Sequence, residues 1–161
     1  MTQDTGTPLG TDPDPVGTVM ALLRRQVDLY RRLEGLAGRQ RNLIAEADPQ
    51  PLLQLLADRQ KLTDELSVNS GVLEPYRAHW SDVRARFSED QRQSADALLT
   101  EAGERLGRIL SADRQDAQLL AARKAQTASA LEGVRCGRQM LNAYGRPSTN
   151  AGQHLNRMDE E

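Results

Sequence analysis

The chain has 161 residues, with 21 basic against 23 acidic side chains, a net charge of −2 and an aromatic share of only 3%. That balance excludes an electrostatic footprint for nucleic acid and a thick globular core, but it suffices for thin seams between helices. A single cysteine, no run near the ~20 apolar residues of a membrane span, and no basic-then-apolar start predict a soluble, cytoplasmic protein without disulfides or membrane insertion.

Residues 1–16 carry Pro8, Pro13 and Pro15, three aspartates and almost nothing apolar, and read as a disordered leader. Helix 1 follows to about residue 47. Its seam is Val19, Leu22, Gln26, Leu29, Leu33, Leu36, Gln40, Leu43 and Ala47, a strict alternation of three and four, widened by Leu23, Tyr30 and Ile44. Gly35 and Gly38 weaken it by up to ~1 kcal/mol each relative to alanine, unless they admit a neighbouring backbone. Asp48-Pro49-Gln50-Pro51 then breaks the chain: aspartate can cap the next helix and proline fits its first turn. So short a loop folds helix 2 back antiparallel on helix 1.

Helix 2 carries the same spacing through Leu52, Leu55, Arg59, Leu62, Leu66, Asn69, Leu73, Tyr76, Trp80, Val83 and Phe87. Arg59 and Asn69 stand in the seam, where polar groups set register at a cost in stability. Gly71 and Pro75 predict a kink between residues 71 and 76, or two shorter helices. Trp80 and Phe87 should pack at the turn into helix 3.

Helix 3 spans residues 88–144 and is the longest. Ser88 and Gln91 have capping-box spacing at its start, and Gly145 suits a left-handed terminal residue, with Pro147 preventing a restart. Its seam reads Ala95, Leu98, Ala102, Leu106 and Ile109, then Ala117, Leu120, Thr127, Leu131, Val134 and Leu141. Residues 88–116 hold four arginines against seven acids, whereas residues 117–144 hold Arg123, Lys124, Arg135 and Arg138 against Glu132 alone. Such a gradient complements the helix dipole. The tail, residues 146–161, has no periodicity and should be flexible. The predicted fold is therefore all-α: an elongated antiparallel coiled-coil-like bundle of three main helices, residues 17–145, with disordered termini.

No constellation for catalysis emerges. His79 and His154 have no partner at metal-ligand spacing, and His79 reads as a surface or hinge contact. Cys136 lies beside Arg135 and Arg138 but near no histidine, and reads as a small buried residue. Asp64-Glu65 and Glu89-Asp90 diverge on a helix, and Gly103 and Gly107 follow no strand and precede no Gly-Lys-Ser. The sequence predicts no catalytic residue, no metal and no cofactor. The protein reads as a non-enzyme.

Several stretches bear on identity: Ala21-Leu22-Leu23-Arg24-Arg25-Gln26-Val27-Asp28-Leu29-Tyr30, then Arg39-Gln40-Arg41-Asn42-Leu43-Ile44, the break at Asp48, and Leu52-Leu53-Gln54-Leu55-Leu56. With Leu119-Leu120-Ala121-Ala122-Arg123-Lys124 and the ending Asn142-Ala143-Tyr144-Gly145, the pattern over residues 18–145 resembles the FlgN-type flagellar export chaperones. It departs from that family at Arg146-Pro147-Ser148 and at Pro75. The resemblance implies a cytoplasmic type III secretion chaperone. Such proteins bind flagellar hook-associated (hook–filament junction) proteins, shield their helical terminal segments and deliver them to export-gate components.

The C-terminal half of helix 3 is the predicted client site. Ala121, Ala122, Ala125, Ala128, Ser129, Ala130 and Gly133 leave a shallow groove in which Leu120, Leu131, Val134, Leu141 and Tyr144 would contact an amphipathic client helix. Arg123, Lys124 and Arg138 would set its orientation from the rim. The plainer alternative is an alanine seam already filled by helix 1 or 2. Of the chain as a whole, the alternative is a structural homo-oligomeric coiled-coil scaffold with no client; a weak homo-oligomer is compatible with either. A prefoldin-like holdase would need β-hairpins, for which there is no pattern.

Overall fold

The computed structural model describes residues 12–145, which form four helices and, among the described residues, no strand: α1 (Pro15–Ala45), α2 (Gln50–Ala78), α3 (Trp80–Ala85) and α4 (Glu89–Tyr144). The all-α prediction holds, with three long helices and one short one. The chain divides into two units, Met1–Leu119 and Leu120–Glu161, and α4 carries it across the boundary.

Residues 1–11 of the expected leader and the expected tail 146–161 lie outside the described residues. The end of the leader takes part in the fold. Asp14 caps α1, its Oδ1 accepting from the Gly17 amide at 3.0 Å, and Pro15 occupies the first turn and is buried. A Cβ on Gly17 would stand 2.1 Å from Asp14 Oδ2, so the cap needs glycine there. Asp12 accepts from the Tyr76 hydroxyl at 2.6 Å, which holds its carboxyl below the usual range and pushes the Tyr76 phenol up.

At the start of α2, Asp48 Oδ1 accepts from the Gln50 amide at 3.0 Å, although Pro49 itself is the cap. Helix α2 runs on through Pro75 to Ala78, and His79, with φ −116° and ψ 35°, caps it. Of the two expectations, a kink or two shorter helices, the split is present, at His79 and not between residues 71 and 76. Proline removes one hydrogen bond, the one to the Gly71 carbonyl, and a helix can lose that and continue. After the break at His79 comes α3, with Trp80 edge-to-face on Phe87 at 5.9 Å and 87°. His79 is the one residue between α2 and α3. At the start of α4 the capping box forms in both directions: the Ser88 amide donates to Gln91 Oε1 at 2.9 Å and the Gln91 amide to Ser88 Oγ at 3.2 Å. At its far end the expectation fails, because no described glycine has a positive φ. Gly145 instead extends the α4 ladder, its amide donating to Leu141 O at 2.8 Å.

Within the first unit, α1 and α2 run antiparallel, as the partners Arg25–Glu65 and Asn69–Leu22 require, and α4 runs alongside α1 in the same direction, as Arg31–Glu101 and Gln40–Asp116 require. One apolar cluster joins Val19, Met20, Leu23, Leu73, Val83, Phe87 and Ala95; a second joins Leu29, Leu33, Leu62 and Ile109. Full burial of such a side chain contributes about 1.5–3 kcal/mol. Leu22, Leu36, Leu43 and Leu66 are half-buried at the seam's edges, and Leu106 is 37% exposed, so it lies outside the seam assigned to it. Gly35 and Gly38 admit no close neighbour: a Cβ at either would meet nothing within 4 Å.

The buried positions of α4 are Ala95, Ala102, Ile109 and Asp116, spaced by whole heptads. The sequence reading ran instead from Ile109 to Ala117, which is exposed. The true seam keeps its spacing but turns polar. Asp116 is 1% exposed and accepts from Gln40 Nε2 at 3.1 Å and from Arg41 Nε at 3.3 Å. One turn earlier, Asp113 receives both terminal nitrogens of Arg59.

Candidate functional site

Catalysis needs converging titratable groups in a pocket. In the first unit a groove of about 510 Å³ gathers Arg32, Arg39, Asp58, Lys61 and Glu65, while the polar groups between the helices are paired with one another. Arg59 donates to Asp113 and to Gln40, Arg41 to Asp116 and Gln115, and Gln40 to Asp116, so the polar layer between α1, α2 and α4 is occupied with itself. On the surface, Arg31, Glu101, Arg105, Glu34 and Arg108 form a ladder of alternating charge between α1 and α4. The Arg108 guanidinium, with Arg105, holds the Glu34 carboxyl below its usual range; Arg105, with Arg31, does the same for Glu101. Arg105 is raised by both carboxylates in turn, Glu101 first. Among the described residues no group of His, Cys, Asp and Glu is arranged to hold a metal ion. A groove of about 480 Å³ lies among Leu23, Tyr30, Leu73, Trp80, Leu99 and Leu106, with Arg77 its one formal charge and Ser70 its one aliphatic hydroxyl.

The second unit is different in kind. From Leu120 to the end of α4 every described residue is exposed. Leu120 is 45% exposed, Leu131 65%, Val134 62%, Leu141 75% and Tyr144 88%. A monomeric bundle seldom leaves a row of large apolar side chains this open. At 3.6 residues per turn, Leu120, Leu131, Val134 and Leu141 fall within one arc of about 100° on α4, with Tyr144 just beside it. Arg123, Lys124 and Arg138 share that arc. All eight residues singled out from the sequence are thus open to solvent. Cys136 is exposed as well, contrary to the expectation of a small buried residue. Met140, 65% exposed, escaped the sequence reading because it falls on the far side of the helix from the heptad line.

Among the described residues no helix is long and apolar enough to cross a membrane. The family model described as Flagellar protein FliT matches residues 27–146. The chain belongs to the FliT family. FliT proteins are flagellar export chaperones, a non-catalytic class, and the match runs from the middle of α1 to one residue past Gly145. It carries the coarser part of the likeness seen in the sequence, a flagellar type III export chaperone, and it is to FliT, whereas the leucine heptads pointed to the FlgN type. Heptads of leucine report helix pairing and discriminate poorly between chaperone families. No curated protein and no solved structure matches the chain.

Proposed function

We propose that this FliT-family chaperone acts in the cytoplasm, where it captures an amphipathic helical segment of a hook-associated flagellar subunit on the exposed face of α4 and presents that subunit for export. Contact is made by Leu120, Leu131, Val134, Leu141 and Tyr144, with Arg123, Lys124 and Arg138 orienting the client from the rim. Hook–filament junction proteins are the hook-associated subunits that the sequence likeness implies. The supporting observation is the exposure of these apolar side chains: covering them removes apolar area from water at about 25 cal/mol per Å². The site needs no bond-making chemistry, because a chaperone must release its client at the export gate unchanged.

The test is capture. Full-length chain, tagged at its N-terminus, is co-expressed with each hook-associated subunit in turn and recovered by affinity. Recovery of one subunit in stoichiometric amount, and its loss when that subunit's terminal helix is deleted, is the expected result. Recovery of none, with the chain found as a tight oligomer of itself, would favour the scaffold reading.

A further inference from the structure

The charges of the second unit are arranged unlike those of the first. In the first unit Arg25, Arg31, Arg41, Arg59, Arg84, Arg105 and Arg108 each meet a carboxylate on another helix or another turn. In the second, among the described residues, no carboxylate stands within ion-pair distance of Lys124, Arg135 or Arg138. Placement around the helix is equally unusual. A solvated amphipathic helix sets its charges opposite its apolar stripe. On α4 the four cations Arg123, Lys124, Arg135 and Arg138 fall in the same arc of about 120° as Leu120, Leu131, Val134 and Leu141. The opposite side, with Ala122, Ser129, Gly133, Cys136, Met140 and Ala143, carries no cation, and Glu132, the one acid of residues 117–144, lies toward it.

From this pairing of cations with leucines, and resting on the client site proposed above, we infer that the occupant of this face is an acidic amphipathic helix, whose apolar anchors are flanked by Asp or Glu. A cation flanking an apolar seam selects a partner helix with carboxylates at the facing positions, as flanking charges do in coiled coils. A neutral or basic helix would cover the leucines and leave Lys124, Arg135 and Arg138 repelled or half-desolvated, so the charges act chiefly against wrong partners. An anionic membrane surface is the other taker of a basic amphipathic helix, but it demands a broad apolar face with large anchors such as Trp or Phe. This face has a single line of leucine and valine and no such ring until Tyr144. The geometry therefore favours a peptide. Arg135 becomes a specificity residue alongside the three cations already placed at the rim.

Three fluorescent helical peptides of identical leucine heptads test this, with Glu, Gln or Lys at every flanking position, titrated against the full-length chain by anisotropy. The expected order is Glu tightest, Gln about tenfold weaker and Lys without measurable binding, with the Glu advantage shrinking in 0.5 M salt. The variant K124E/R135E/R138E should reverse the order and bind the Lys peptide. Equal binding of all three peptides, binding of none, or sedimentation with phosphatidylserine vesicles in place of Glu-peptide binding overturns the inference. The two readings fail separately. If a hook-associated subunit is captured, and lost in L131D/L141D but not in the charge-reversal variant, the client site stands and only its acidic specificity falls.

Discussion

Arg59 of α2 holds Asp113 of α4 with both ends of its guanidinium, Nη1 to Oδ1 at 2.8 Å and Nη2 to Oδ2 at 2.9 Å, while its Nη1 also donates to Gln40 of α1. One side chain thereby fixes the register of three helices, since a shift of any of them by one residue breaks the fork. The two ends are unequal: the arginine side chain is 16% exposed and the aspartate 37%. Asp113→Ala leaves a mostly buried cation unpaired and should cost about 2 kcal/mol; Arg59→Met leaves a carboxylate that still reaches water and should cost about half that. The double variant R59M/D113L should recover most of the loss. Urea midpoints of the three variants check the order.

The ladder around Glu34 and Glu101 makes stability depend on acid. Both carboxyls are held below the ordinary glutamate value of 4.5, Glu34 chiefly by Arg108 and Glu101 chiefly by Arg105. A depressed carboxylate contributes stability that is present above its unfolded value and is lost as pH falls through the folded one. Thermal midpoints should therefore be flat from pH 7 down to about 5 and decline below the ordinary glutamate range. The variant E34Q should start lower and show a shallower acid decline, and 0.5 M salt should narrow the gap between the two proteins, because these pairs are partly open to solvent.

Gly38 stands in the middle of α1 with nothing within 4 Å of the place a Cβ would take. Gly38→Ala should stabilise the chain by up to ~1 kcal/mol, since alanine removes backbone freedom from the unfolded chain and meets no neighbour. A loss of stability on chemical denaturation would show a close approach at this position after all.

Ser88→Ala removes one arm of the capping box that starts α4 and should cost about 1 kcal/mol. Gln91→Ala tests the other arm. Because the two hydrogen bonds are reciprocal, the double variant should lose less than the sum of the single ones, read from urea midpoints.

Most of the fold was legible because the spacing of three and four is imposed by helix geometry and shows wherever leucine marks the seam. Val19, Leu29, Leu33, Leu55, Leu62 and Ile109 are buried where the spacing put them, and Arg59 and Asn69 are polar seam residues as read. Asp113 and Asp116 were missed for a physical reason. An aspartate scores as surface until the donors facing it are known, and Gln40, Arg41 and Arg59 come from two other helices. The break at His79 was misplaced because proline and glycine mark where a helix is weak, whereas the packing of Trp80 on Phe87 accompanies the turn that is taken. In the second unit the spacing picked out the exposed leucines, but periodicity alone does not say whether a stripe is covered. The charges gave the further clue, once they were placed on the helix beside the leucines.

The central claim, that the exposed face of α4 receives the client, is tested most directly by the double variant Leu131→Asp, Leu141→Asp. Both side chains are exposed, at 65% and 75%, so the variant should keep its circular dichroism spectrum and melting midpoint. Calorimetric titration with the hook-associated subunit recovered from the co-expression panel should then show affinity reduced at least 100-fold, as expected when a charge is forced against an apolar anchor. Unchanged affinity in a folded variant would contradict the account, and unfolding of the variant would show that these leucines belong to a core.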